Sequence, residues 1–316
     1  MADPSTGALR RATIVLLLAA LIWGSMIPVL AALAEHYDKW LLSWLRYVLG
    51  LPVLWLAVLW STPPVAAPRP LQAGRLFRLG AAMAAFSVLY TFGVANAHPA
   101  TAAIVLMCGP IWATILSRLL LRAAPPPGFY VTLALVVCGG ILVVLGTPGR
   151  VDGGLGVEGG EILLVIAQLC WSWYSIRAQQ WLADRGQMAL SALTSSVASV
   201  VLGGVCLVVW ATLGLDLPTR APTLVEGGMI VWIGVLGVAV AVLLWNTGVS
   251  LVGVPVASLF SNSAPVFAIG LAALMGFTPS WLQLAGGVVV MGGIAQLQIR
   301  QTWKARGMAR AARRAG

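Results

Sequence analysis

Ten runs of apolar residues, each about as long as a bilayer is thick, leave this chain few folds to choose from. They lie at approximately 12–34, 41–60, 79–97, 101–121, 129–146, 161–181, 188–213, 228–250, 256–276 and 280–299. A helix crosses a hydrocarbon core with about 20 apolar residues. Lipid cannot satisfy backbone N–H and C=O groups, so spanning segments are helices or closed barrels, and no alternating barrel pattern is present. The composition agrees: 60% of the 316 residues are hydrophobic and 9% charged, where a soluble domain carries about a quarter charged residues. Short breaks rich in Pro, Gly or charge separate the runs, among them STPPVAAPRP, AAPPPG and TPGRVDGGLGVEGG. Arg10 and Arg11 precede the first run as in a signal peptide. That run is too long, lacks a small-residue cleavage site and has a counterpart later in the chain, so it reads as a span.

The runs are written twice. LYTFGVANAHPATAA at 89–103 and LWNTGVSLVGVPVAS at 244–258 match at a constant offset of 155 residues. Leu89 meets Leu244, Tyr90 meets Trp245, Gly93 meets Gly248, and the register continues to Pro110 with Pro265. Five spans separate equivalent helices, so the second copy is inverted relative to the first, a construction common in secondary transporters. The expected fold is an all-α integral membrane protein of ten transmembrane helices, two inverted five-helix repeats around a central cavity. The divisions follow: 1–11 a cytoplasmic N-terminus, 12–147 the first repeat, 148–160 an external linker, 161–299 the second repeat, and 300–316 a basic cytoplasmic tail.

Charge sets the orientation. With the N-terminus inside, fifteen Lys and Arg residues fall on the cytoplasmic side and three (Lys39, Arg150, Arg220) on the other, which the positive-inside rule favours strongly. The net charge of +10 therefore orients the protein and implies no nucleic acid. The tail QIRQTWKARGMARAARRAG could also meet anionic lipid. Cys108, Cys138, Cys170 and Cys206 all fall inside predicted spans, where they read as small apolar residues, not as disulfides or metal ligands.

Pro110 and Pro265 lie near the middle of predicted spans 4 and 9. Each removes a backbone hydrogen bond and frees the carbonyl four residues earlier, at Leu106 and Ser261. Freed carbonyls persist in a membrane where protein or water satisfies them, which points to a cavity, with a simple packing kink as the alternative. Ser261, Asn262 and Ser263 make the second break unusually polar; they could receive a polar ligand group or bond neighbouring helices. Trp23 and Trp171 align at offset 148 (LIWGS against LCWSW) and Tyr90 and Trp245 at 155, a set suited to flat apolar molecules. Trp245 and its neighbour Asn246 count out near the cytoplasmic rim, and Gln168 and Trp112 are added by depth alone. The candidate substrate-binding residues are Trp23, Tyr90, Leu106, Trp112, Gln168, Trp171, Trp245, Asn246, Ser261 and Asn262, with Pro110 and Pro265 as helix breaks.

No Asp or Glu occupies the middle of a predicted span, so the carboxylate that often relays protons in coupled transporters is missing. Arg46, about a turn and a half from the outer end of span 2, reads as a snorkelling side chain or half of a helix-packing ion pair, ahead of a partner for a substrate carboxylate. His98 reads as an exposed loop residue. Gly139-Gly140 in span 5 and Gly286-Gly287 and Gly292-Gly293 in span 10 permit close backbone approach and mark those helices as scaffold or dimer contacts. Two histidines and no midplane acid leave no catalytic constellation or metal site, and no phosphate-cradling loop is present.

With Trp23-Gly24-Ser25 in span 1, the two mid-span prolines and glycine-rich spans 5 and 10, residues 12–299 resemble the EamA-type members of the drug/metabolite transporter superfamily. Members often carry a glutamate at the ends of helices 4 and 9, where this chain has Arg122 and Phe277 nearby. LLWNTG at 243–248 and SAPVFAIGLAALM at 263–275 look most like YddG-type exporters of aromatic amino acids. The resemblance implies a multi-pass protein of the bacterial inner membrane, monomer or homodimer, without cofactor. Its implied function is to export aromatic amino acids or related amphipathic metabolites by alternating access; other metabolites or drugs, with proton coupling, are the alternative.

Overall fold

The computed structural model describes residues 6–61, 68–147, 156–214 and 220–315. Most of the expected 148–160 linker lies outside these, as do Asp3, Arg150, Asp152 and Asp216. The side chains of Arg306, Arg310, Arg313 and Arg314 lie outside the described set too, and with them most of the basic tail.

The described residues form helices and no strand. In order these are α1 (Thr6–Ala34), α2 (Lys39–Leu59), α3 (Ala73–Ala95), α4 (Pro99–Met107), α5 (Gly109–Leu121), α6 (Phe129–Leu145) and α7 (Gly160–Trp181). There follow α8 (Gly186–Leu213), α9 (Leu224–Val231), a π-helical segment (Trp232–Val240), α10 (Ala241–Val252), α11 (Val254–Ser261), α12 (Ala264–Leu274) and α13 (Trp281–Ala315). Among the described residues, and with short breaks bridged, eight helices are long and apolar enough to cross a membrane. Of the remaining two rods, α6 is apolar but 17 residues long. The other, α7, has 22 residues and carries Glu161, Gln168, Arg177, Gln179 and Gln180.

Packing follows the repeat. Equivalent elements of the two halves meet each other: α2 lies on α8 and α6 on α13. Other contacts come in related pairs, α3 on α7 matched by α10 on α1, and α5 on α7 matched by α12 on α1. The α6–α13 crossing depends on glycine from both sides. A Cβ on Gly139 would meet the Gly286 carbonyl oxygen at 2.8 Å, and one on Gly286 would meet the Gly139 carbonyl oxygen at 2.5 Å. These glycine-rich helices thus pair with one another inside the protomer as a scaffold. Gly24 works in the same way where α1 crosses α12, its Cβ position lying 2.4 Å from the Ala264 carbonyl oxygen.

Both mid-span prolines break their helices. The first break falls at Cys108, between α4 and α5, and the second at Asn262–Ser263, between α11 and α12; offset by 155 residues, Cys108 corresponds to Ser263. Helix ends are held by side chains. Asp38 accepts from the amides of Trp40 (2.7 Å) and Leu41 (3.1 Å) to start α2. His98 is half-buried and caps α4, its Nδ1 accepting from Ala100 N–H at 3.4 Å; the exposed position expected for it is corrected by this capping role. Glu161, buried at the start of α7, ties that helix to the α3–α4 turn: its carboxylate accepts from Thr101 Oγ1 (2.7 Å), His98 N–H (3.2 Å), Glu158 N–H (3.1 Å) and Gly159 N–H (3.0 Å).

Candidate functional site

Three tryptophans from three helices meet where α1, α7 and α10 converge. Ring centroids of Trp23 and Trp171 are 5.9 Å apart, Trp23 and Trp245 5.6 Å, and Trp171 and Trp245 5.7 Å. These separations fall in the range of favourable aromatic pairs. Phe86 on α3 extends the wall, 4.9 Å from Trp171, and Tyr174 lies 5.3 Å from Trp171. Tyr90 joins through Phe86, at 5.6 Å.

The rings are oriented by polar bonds. Trp23 Nε1 donates to the Gly237 carbonyl at 3.3 Å and Trp245 Nε1 to Ser175 Oγ at 3.0 Å. Gly237 lies in the π-helical segment, where i→i+5 bonding inserts a residue per turn. That insertion displaces everything after it from the depth a straight α-helix would give. Trp245 is buried, with only 2% of it exposed, and it packs on Trp23 and Trp171. Asn246 is fully buried beside it, its Nδ2 donating to Tyr174 Oη (3.0 Å) and Ser191 Oγ (2.9 Å), which knits α7, α8 and α10 together.

The two helix breaks are bonded to each other. Asn262 Nδ2 donates to the Met107 carbonyl at 2.7 Å, joining two positions related by the same 155-residue offset. The Leu106 carbonyl, freed by Pro110, accepts from Gln168 Nε2 at 3.1 Å. Gly109 makes room for that amide, since a Cβ there would lie 2.9 Å from Gln168 Nε2. Ser261 Oγ is turned back onto its own helix, donating to the Ser258 carbonyl at 2.7 Å.

Of the sequence candidates, the structure therefore brings Trp23, Trp171 and Trp245 together and attaches Tyr90 at the edge. It places Leu106, Gln168, Asn262, Pro110 and Pro265 around the paired breaks. Trp112 stands apart from the ring contacts, its Nε1 buried without a partner among the described residues. Phe86, Tyr174 and Ser175 are additions the sequence reading lacked. Spacing could have found the first two, since Phe86 is four residues before Tyr90 and Tyr174 three after Trp171, each one helical turn away. A separate cavity of about 270 Å³ is lined by Arg118, Arg122, Ala123 and Ala124 at the end of α5 and shares no residue with this cluster.

Both halves of the chain, residues 10–145 and 158–297, match the model of the EamA-like transporter family. The chain belongs to that family. An EamA transporter's two-repeat construction accounts for the paired packing of the helices. A relative, the uncharacterized transporter YyaM of Bacillus subtilis (strain 168), is 24% identical over 213 residues, 66% of this chain and 67% of the relative. A solved crystal structure superposes with a TM-score of 0.73 over 94% of this chain and 98% of its own, at 21% identity; at that identity the likeness is one of fold. This EamA chain is thus a multi-pass membrane transporter, and its family speaks for transport in place of catalysis.

Proposed function

We propose that this EamA transporter exports aromatic amino acids or related amphipathic metabolites across the bacterial inner membrane by alternating access. The supporting observation is the Trp23–Trp171–Trp245 cluster, built from both repeats and lying among the helices that border the two proline breaks. Indole faces bind flat apolar bodies by area burial and stacking, and rocking of one repeat against the other would open such a wall to each side in turn. All ten rods cross the bilayer in this reading, both termini are cytoplasmic, and the YddG-type resemblance names the substrate class. Transport is facilitative, because the acids of the described residues lie in loops and near helix ends and leave no midplane proton relay.

Counterflow of radiolabelled phenylalanine and threonine into proteoliposomes, with and without an imposed pH gradient, tests this. Phenylalanine flux indifferent to the gradient and lost in Trp171→Ala is the expected result. Flux that follows the gradient restores proton coupling, and no flux of either amino acid overturns the substrate assignment in favour of other metabolites or drugs.

A further inference from the structure

Arg46 sits seven residues into α2, about 10 Å from its Lys39 end at ~1.5 Å per residue. Its guanidinium neither snorkels along α2 nor pairs with a carboxylate. It reaches sideways to α3, where Nη2 donates to Ser87 Oγ, and its Nε is buried without a partner. The single ion pair among the described residues is Arg220 with Glu226, at the start of α9, where Glu226 also accepts from Tyr37 Oη at 3.3 Å. Around Arg46 the structure holds hydroxyls and rings. Ser43 Oγ and Thr91 Oγ1 lie 3.4 Å apart one turn nearer the helix ends, and the guanidinium carbon is 5.8 Å from the Tyr47 ring centre.

An arginine stays charged under all ordinary conditions and offers five donors in a planar fork. The described bonds occupy one of them. A permanent cation in a membrane-spanning helix faces the bundle interior or a water-filled cavity, pairs with an anion or backbone carbonyls, and marks a substrate pathway; among the described residues no protein anion meets this one. The position of this cation suggests which anion. Ser87 adjoins Phe86, whose ring is 4.9 Å from Trp171, and Tyr47 packs in the same buried cluster as Tyr174, with Trp171 at its margin. On α3 the charge is thus bonded to the residue next to Phe86, and on α2 it adjoins Tyr47, which shares a buried cluster with Tyr174.

We propose that Arg46 is the binding group for the carboxylate of the transported molecule, so that the substrate class is aromatic carboxylates and not aromatic amines or cationic dyes. This rests on the reading of the tryptophan cluster as the substrate wall. A fork of two parallel N–H donors fits a carboxylate in a way that a lysine ammonium does not.

The test is equilibrium binding of radiolabelled phenylalanine to purified protein, displaced by 3-phenylpropionate, which has no amine, or by 2-phenylethylamine, which has no carboxylate. Threonine binding is measured alongside. Wild-type protein is expected to prefer phenylpropionate to phenylethylamine by about tenfold or more, the free-energy scale of a charge-assisted bond. Arg46→Gln should weaken phenylalanine binding itself and abolish that preference, with the affinity for phenylethylamine unchanged, and Arg46→Lys should restore both in part. The same preference in Arg46→Gln, or equal weakening of both ligands with a lowered unfolding temperature, would mean a packing role and overturn the proposal. Arg46-dependent threonine binding without phenylalanine binding would keep the carboxylate role and discard the aromatic wall; no binding of either discards both.

Discussion

Trp171 holds the aromatic cluster together, because its indole meets Trp23, Phe86, Tyr174 and Trp245 at once. Each such pair contributes about 0.5–1.5 kcal/mol beyond area burial, so removing the ring costs ligand contacts and wall geometry together. Trp171→Ala should lower phenylalanine counterflow ~10-fold or more, whereas Trp171→Phe keeps a ring and most of the flux. Trp245→Phe isolates a different effect. It retains stacking on Trp23 and Trp171 but strands Ser175 Oγ, and the expected loss is about 1 kcal/mol of stability, read as a lower unfolding temperature in detergent with substrate preference intact. Asn262→Leu removes the one side chain seen to bond the two helix breaks. Interhelical bonds in membranes are worth about 0.6–2 kcal/mol, so a fall of a few degrees in unfolding temperature is expected, and no change would show that the Met107 carbonyl finds another donor.

At the scale of elements, the scaffold pair α6–α13 and the π-helical segment act in different ways. Gly139 and Gly286 each face the other's backbone carbonyl, and a backbone cannot give way as a flexible side chain does. Gly286→Val should force the helices apart at a cost of about 1–3 kcal/mol, visible as loss of monodisperse protein after extraction, while Gly292→Ala, with open space around its Cβ position, should be tolerated. Inserting one residue directly after the π-helical segment would turn α10 by about 100° relative to α9. Helical content should persist, but Trp245 would leave Trp23 and Trp171, giving a red-shifted tryptophan emission. Glu161 ties α7 to the α3–α4 turn through charge-assisted bonds. Glu161→Gln should lower the unfolding temperature and raise amide exchange at His98 and Gly159; unchanged exchange would show the turn to be held by other contacts.

For the whole molecule, the repeat was legible because it is written twice in one chain: the offset of 155 residues aligns the two prolines and, in the structure, the two breaks. Asymmetry between the halves was not legible in the same way. Tyr90 and Trp245 are equivalent in sequence, yet Trp245 joins the three-tryptophan contact and Phe86 takes the corresponding approach to Trp171. Basic residues gather at one end. Arg75, Arg78 and Arg177 stand 5.6, 5.0 and 5.7 Å from the ring centre of Trp181, a grouping of guanidinium and indole suited to a membrane–water interface. A green fluorescent reporter fused after Gly316 should fluoresce and an alkaline phosphatase fusion there should be inactive, as a cytoplasmic C-terminus requires; active phosphatase would invert the orientation.

Sequence alone determined that the chain is helical, lies in a membrane and is built from two repeats, since length, apolarity and repetition are properties that survive without neighbours. It also located the helix breaks, because proline acts on its own backbone. Which way each helix is turned, and against what, was decided by tertiary structure. One residue of register rotates a helical side chain by about 100°, so a depth counted along the chain could not name the partners, Trp23 on α1 and Trp171 on α7, that bury Trp245. The same holds for Arg46: its charge was visible in the sequence, but the absence of a carboxylate beside it among the described residues is a fact of where α2 meets α3.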